Sequence, residues 1–217
     1  MGLGEGVAAL GPVHGHDAEI VVDRHQDVLP GHARGFSPLT GVLLDSGPMI
    51  LTREAIRREI DMGRVVIEPL SLDQIGPASI DLHLGDEIRV MHEGRDPVPV
   101  TDDVDYQTFT DVRPLDAPYA LVPGETIHGI TRERITLPGD IGGWLEGRSR
   151  FARVGLMIHV TSGFVQPGVS SRQVLEIANV SARTLLIHAG VRLLQIVLQR
   201  CEGSAVYQGR FASQEHL

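Results

Sequence analysis

"YALVPGETIHGITRERITLP", residues 119–138, reads as short strands interrupted at Pro-Gly and closed at Leu-Pro. Proline fixes its own φ and offers no N–H, and the glycine after it turns freely, so the pair punctuates extended chain. The pattern continues on both sides. Upstream, "SIDLHLG" (79–85) alternates Ile80, Leu82 and Leu84 against Asp81 and His83, and "EIRVM" (87–91) continues that strand. Downstream, "GLMIHVTSGFV" (155–165), "SRQVLEIANVS" (171–181) and "TLLIHAGVRLLQIVLQ" (184–199) are further strand-like runs, separated by Gly, Pro or Asn. Runs at about ten-residue spacing with such punctuation predict an all-β sandwich or barrel.

One helix precedes them. "MILTREAIRREIDMGRVVIEPL" (49–70) predicts strand, helix, strand: Thr52 is a candidate N-cap, Ala55, Ile56 and Ile60 form the apolar face, and Gly63 ends the helix. Arg53, Arg57 and Arg58 fall on a solvated face. "HEGRDPVPVTDDVDY" (92–106) predicts a polar loop. Residues 1–48 are rich in Gly, Pro and His without sustained periodicity, and are expected to be a flexible extension. "HGH" (14–16) has no carboxylate or cysteine at a ligand spacing.

The formal net charge of −9 argues against a broad grip on nucleic acid or anionic lipid, so any anion site must be local. No stretch approaches the roughly 20 apolar residues of a membrane helix, and no signal peptide is recognisable. Cys201 is the only cysteine, which points to a reducing cytoplasm and excludes multi-cysteine zinc sites, those of zinc deaminases included. At 4% aromatic content, base-stacking platforms are not expected.

Four features carry possible chemistry. "EGRSR" (146–150) offers Arg148 and Arg150 as planar donor forks beside Ser149, either a phosphate cradle or a surface turn. Glu176 lies among Val174, Leu175 and Ile177, where an unpaired buried carboxylate is expensive. It faces solvent, bridges an arginine, or acts as an acid or base with a raised pKa. The bend "TSGFVQPGVSS" (161–171), with Thr161, Ser162 and Gln166, wraps a ligand or merely connects strands. The tail "YQGRFASQEHL" (207–217) is an arm over a ligand or a frayed end. His159 and His188 read as structural histidines.

The order of these features resembles the dCTP deaminase branch of the trimeric dUTPase-like superfamily. The resemblance rests on "MILTREAI", "IGPASIDLHLGDEIRV", "EGRSRFARVGLMIHVTSG", "VLEIANVS", "GVRLLQIVL" and "YQGRFASQ", from Met49 to Gln214. It implies a mainly-β subunit, a distorted β-barrel or jelly-roll with a short N-terminal helix, spanning 49–217 with a C-terminal arm at 202–217. It also implies a homotrimer with active sites between subunits, and zinc-independent hydrolytic deamination of dCTP to dUTP and ammonia. Magnesium would arrive with the triphosphate. By this resemblance Glu176 moves the protons, Ser149 holds the attacking water, and Arg153 orients or stabilises the charged centre. Arg148, Tyr207, Arg210 and Gln214 bind the triphosphate, Ser162 lies near the base, and Arg150, Thr161 and Gln166 are further substrate-binding positions.

Five positions depart from the family pattern: Arg210 stands for a lysine and keeps the charge, Phe211 for a tyrosine and loses a hydroxyl, and three more change the chemistry. Arg150 replaces a serine, Ser162 an alanine and Gln166 an aspartate. Gln166 can hydrogen-bond but cannot act as a base. That counts against dUTP diphosphatase or bifunctional activity and leaves the sugar preference open. CTP or a modified cytidine nucleotide is the alternative substrate. A nucleotide sensor without catalysis is the remaining alternative, against which the intact Glu176, Ser149 and Arg153 stand.

Overall fold

The structure, a computed structural model, describes residues 49–217 apart from Arg95, Val160, Arg210 and Ser213. The proposed extension at 1–48, with its histidines, lies outside the described residues.

The chain opens with α1 (Arg53–Asp61) and β1 (Val66–Glu68), followed by β2 (Ile80–Leu82), β3 (Leu84–Met91), β4 (Thr110–Pro114) and β5 (Tyr119–Leu121). Next come β6 (Thr126–Thr136), β7 (Ile141–Gly147), the one-turn α2 (Ser149–Ala152), β8 (Leu156–Ile158) and β9 (Phe164–Val165). The last strands are β10 (Ser170–Asn179), β11 (Leu185–Ile187) and β12 (Leu194–Arg200). A six-stranded sheet runs β4-β3-β6-β10-β8 with β1 also on β6, a four-stranded sheet runs β2-β12-β7-β9, and β11 pairs with β5. The mainly-β class with a short N-terminal helix holds. The strands form three antiparallel sheets rather than one closed hydrogen-bonded ring.

The run expected as one strand, "SIDLHLG" into "EIRVM", is divided. β2 belongs to the four-stranded sheet and β3 to the six-stranded one, so the chain changes sheets at His83. Glu133, 1% exposed on β6, holds this corner: it accepts from the His83 backbone N–H at 2.9 Å and from Gln74 Nε2 at 3.0 Å. Its other contact is His83 Nδ1 at 2.5 Å, while Arg192 Nε donates to His83 Nε2 at 3.1 Å. That second bond fixes the tautomer, because Nε2 must be bare and Nδ1 must carry the proton given to Glu133. A buried carboxylate costs heavily unless its oxygens are satisfied, and here both are.

The two large sheets share one apolar cluster. Ile80 and Leu82 of β2 and Leu194, Ile196 and Leu198 of β12 pack with Ile88 of β3, Ile127 and Ile135 of β6 and Leu175 and Ile177 of β10. Each such side chain contributes about 1.5–3 kcal/mol when fully buried. In α1, Ile56 is fully buried while Arg53, Arg57 and Arg58 are exposed, as the periodicity predicts. Thr52 occupies the N-cap, but its hydroxyl makes no capping bond; Gly63 follows the helix in the left-handed conformation at φ 67°. Unforeseen from the pattern is Glu59, 2% exposed, bonded to Arg64 Nε at 2.7 Å and paired with Arg200 of β12. This cluster ties the helix to the four-stranded sheet.

Candidate active site

Alternation along β10 places Glu176. Leu175 and Ile177 are fully buried in the core, so Glu176 between them projects from the opposite face of the sheet. The sequence alternatives thus resolve into a half-buried carboxylate over a cavity of about 500 Å³. Glu176 stands directly across from His128 of β6, and His128 is also opposite Arg89 of β3. Directly opposed residues on neighbouring strands share a face. Arg89, His128 and Glu176 therefore form one row across three strands.

His159, at the end of β8, closes on Glu176 from the other side. Its Nδ1 lies 2.6 Å from Glu176 Oε2, and its backbone N–H donates to the Glu176 carbonyl at 2.7 Å. The residue is 8% exposed and holds φ at 50°, the only non-glycine residue with positive φ among those described. A histidine in this conformation costs of order 1 kcal/mol, which the surrounding contacts must offset. Burial alone would raise the Glu176 pKa, but the His159 contact, aided by a backbone bond and the nearby His128, outweighs it and holds the carboxyl below its ordinary 4.5. Of the three alternatives left open by the sequence, the raised pKa is not the one these surroundings favour: two imidazoles, rather than an apolar wall, face the carboxylate.

Ser162, Gln166, Tyr207 and Gln214 line the same cavity, with Phe211 of the tail. The tail packs as an arm along the start of β10. Tyr207 N–H donates to the Pro167 carbonyl at 3.0 Å and Arg172 N–H to the Gln214 carbonyl at 2.9 Å, while Arg134 pairs with Glu215. Gly168, at φ 75°, makes the seat: a Cβ there would come within 2.7 Å of Val206 Cα. Thr161 is exposed on the bend and lines neither this cavity nor the next. Arg210 lies outside the described residues.

The other predicted residues are elsewhere. Arg148, Ser149, Arg150 and Arg153 line a second cavity of about 440 Å³, with Asp81, Ser79 and Gln195. "EGRSRF" is not a plain turn between strands. β7 ends at Gly147 and α2 begins at Ser149, with the Arg153 N–H donating to the Ser149 carbonyl at 3.1 Å. Arg148 Nη1 lies 3.2 Å from Asp81 Oδ2, whereas Ser149, Arg150 and Arg153 are exposed. One chain thus presents Glu176 with its arm on one cavity and the arginine cluster on another.

Sequence reading missed His159 as a site residue and passed over His128 and Tyr106, which also line the first cavity. The available signal was register: only the pairing of β6 with β10 shows that the "TIHGI" histidine faces Glu176. Among the described residues no group of three or more His, Cys, Asp or Glu side chains is spaced to hold a metal ion. No helix among them is long and apolar enough to cross a membrane.

The fold is mainly β and carries a half-buried carboxylate on a cavity wall, and comparison with known proteins narrows what this defines. Residues 50–201 match the model of the family described as dCTP deaminase-like. A relative from Parafrankia sp. (strain EAN1pec), named dCTP deaminase, dUMP-forming, is 37% identical over 179 residues, covering 76% of this chain and 87% of its own. One of the same name from Methanosphaera stadtmanae is 36% identical over 155 residues, covering 69% of this chain and 78% of its own. The solved 2′-deoxycytidine 5′-triphosphate deaminase from Agrobacterium tumefaciens aligns with a TM-score of 0.58 at 24% identity, covering 71% of this chain. This chain spans about half of that protein, 49% of its length, and the likeness speaks for the fold. The chain belongs to the dCTP deaminase-like family of enzymes.

Proposed function

We propose that this enzyme hydrolytically deaminates a cytosine nucleoside triphosphate, dCTP foremost, with Glu176 as the proton carrier. The observation that carries the reading is the histidine-flanked Glu176 on a cavity wall within the family's domain. Glu176 takes a proton from water as the water oxygen bonds to C4 of the pyrimidine, and delivers that proton to N3. A second proton then passes from the new C4 hydroxyl through Glu176 to the amino group. The C4–N bond breaks, ammonia leaves, and the C4 carbonyl and the N3–H of uracil remain. His159 keeps Glu176 oriented and charged for the first step. Ser149 holds the water and Arg153 the charged centre. Arg148, Tyr207, Arg210 and Gln214 take the triphosphate, which brings its magnesium as part of the substrate.

Since Glu176 and the arginine cluster line separate cavities of one chain, the working site is proposed to form between subunits of a homotrimer. The single cysteine fits a reducing cytoplasm as its compartment. Gln166, an amide on the cavity wall, supports dUTP as the end product. A second reading, onward cleavage to dUMP, is favoured by the names of the relatives.

The test is to incubate the protein and magnesium with dCTP, CTP, dUTP and dCMP, reading ammonia and pyrophosphate separately. Ammonia from dCTP is expected; ammonia from none would refute the reading. Pyrophosphate in step with ammonia would select the second product.

A further inference from the structure

The row across the central sheet contains a group that the mechanism leaves unused. His128 lines the Glu176 cavity, yet its Nδ1 is sealed from solvent without a partner, and the ring makes no hydrogen bond among the described residues. Its orientation is set by packing. The Tyr106 ring meets it edge-on at 5.5 Å and 84°, and the Arg89 guanidinium lies 5.5 Å from the centre of the same tyrosine ring. Arg89, 6% exposed, donates through Nη1 to Thr110 Oγ1 at 3.0 Å, and Thr110 Oγ1 donates to the Tyr106 carbonyl at 2.7 Å. Arg89, Thr110 and Tyr106 thus clamp the imidazole against the cavity wall.

A partnerless polar ring is an expensive way to fill space. With Nδ1 sealed and unpartnered, the imidazole forfeits the hydration of that edge, where an apolar side chain of similar size would not. The cost at Nδ1 is offset if the ring's other edge, Nε2, which is not sealed and lies at the cavity, makes a bond to a ligand. The tautomer follows from the same argument: a proton on Nδ1 would be a buried, unpaired N–H, so the proton belongs on Nε2. Burial first, and the Arg89 charge with it, lowers the His128 pKa against the opposing pull of Glu176. The ring therefore serves as a neutral donor rather than a cation for the phosphates.

We propose that His128 is a substrate-contacting residue whose Nε2–H donates to an oxygen of the nucleoside held beside Glu176, so that it sets affinity for the nucleoside rather than the rate of proton transfer. This rests on Glu176 addressing the pyrimidine C4. The Cβ atoms of directly opposed residues such as His128 and Glu176 lie about 5 Å apart, so a nucleoside addressed by Glu176 comes within reach of the His128 ring. The shared chemistry is an acceptor oxygen, either the base carbonyl at C2 or a sugar hydroxyl.

The test compares His128→Leu, His128→Gln and His128→Asn with the wild type, each checked by thermal melting. Gln carries an N–H at the reach of Nε2, whereas Asn does not. For His128→Leu and His128→Asn, KM for dCTP should rise about tenfold with kcat within roughly threefold of wild type, and His128→Gln should restore KM. Repeating the comparison with 2′,3′-dideoxy-CTP separates the sources. The penalty persists if the partner is the base carbonyl and vanishes if it is the sugar hydroxyl. An unchanged KM in His128→Leu, or equal behaviour of Gln and Asn, would overturn the proposal. Equilibrium binding of dCTP to the same proteins reads the contact independently of turnover. A wild type that binds dCTP but releases no ammonia would count against the deaminase reading, not against His128.

Discussion

His159 Nδ1 lies 2.6 Å from Glu176 Oε2, at the one described non-glycine residue whose φ is positive. The contact keeps the Glu176 pKa below 4.5 although burial pushes it upward. A base with a lowered pKa stays ionised to more acidic pH, so the acid limb of kcat/KM should lie below the ordinary glutamate range. In His159→Ala, burial prevails and the limb should move to higher pH, with kcat down roughly 10²-fold through lost orientation. A pH–rate profile with an unmoved limb would show that His159 does not govern the carboxylate.

Glu59 gives a stability prediction with the same sign. Burial raises its pKa, but bonds from Arg64 and Arg200 prevail and lower it from 4.5. A depressed folded-state pKa contributes stability that is present above the unfolded value and lost as pH falls through the folded one. Glu59→Gln should cost about 2–3 kcal/mol at pH 7. Melting curves should show the gap to wild type closing below pH 4.5. A gap that does not change with pH would mean that packing, not charge, is what Glu59 supplies.

If the site forms between subunits, two inactive variants should complement each other. Glu176→Gln and Arg153→Ala, each inactive alone, should regain roughly a quarter of wild-type activity when refolded together at equal amounts, because random trimers then contain some intact sites. No recovery in verified mixed trimers would place both groups in a single chain's site.

Sequence and fold agreed where burial sets the pattern and parted where register does. The strands and α1 were legible because Leu175, Ile177 and Ile56 repeat at the spacings of strand and helix. The sheet change at His83 was not legible, since Leu82 and Leu84 continue one alternation across it while Glu133, fifty residues on, holds the corner. Glu176 stood out as a carboxylate among apolar neighbours. His128 did not, because nothing near it in the chain reveals that β10 lies alongside. The division of the predicted residues between two cavities follows from the topology, with α2 following β7 of one sheet and Glu176 on β10 of the other.

Gln166 gives a prediction about the product. An amide cannot accept a proton from water, so Gln166→Asp should add or raise pyrophosphate release from dUTP while ammonia release from dCTP persists. If wild type already releases pyrophosphate as fast as ammonia, the carboxylate at this position is dispensable and dUMP is the product.

In the proposed reaction Glu176 carries the protons of a cytosine nucleotide deamination. Ammonia release from dCTP by wild type and Glu176→Gln, with dCTP binding measured on both, tests it most directly. The amide keeps the shape but cannot take the proton, so turnover should fall by 10³-fold or more while binding stays within roughly threefold. A Glu176→Gln protein that releases ammonia at the wild-type rate would contradict the account.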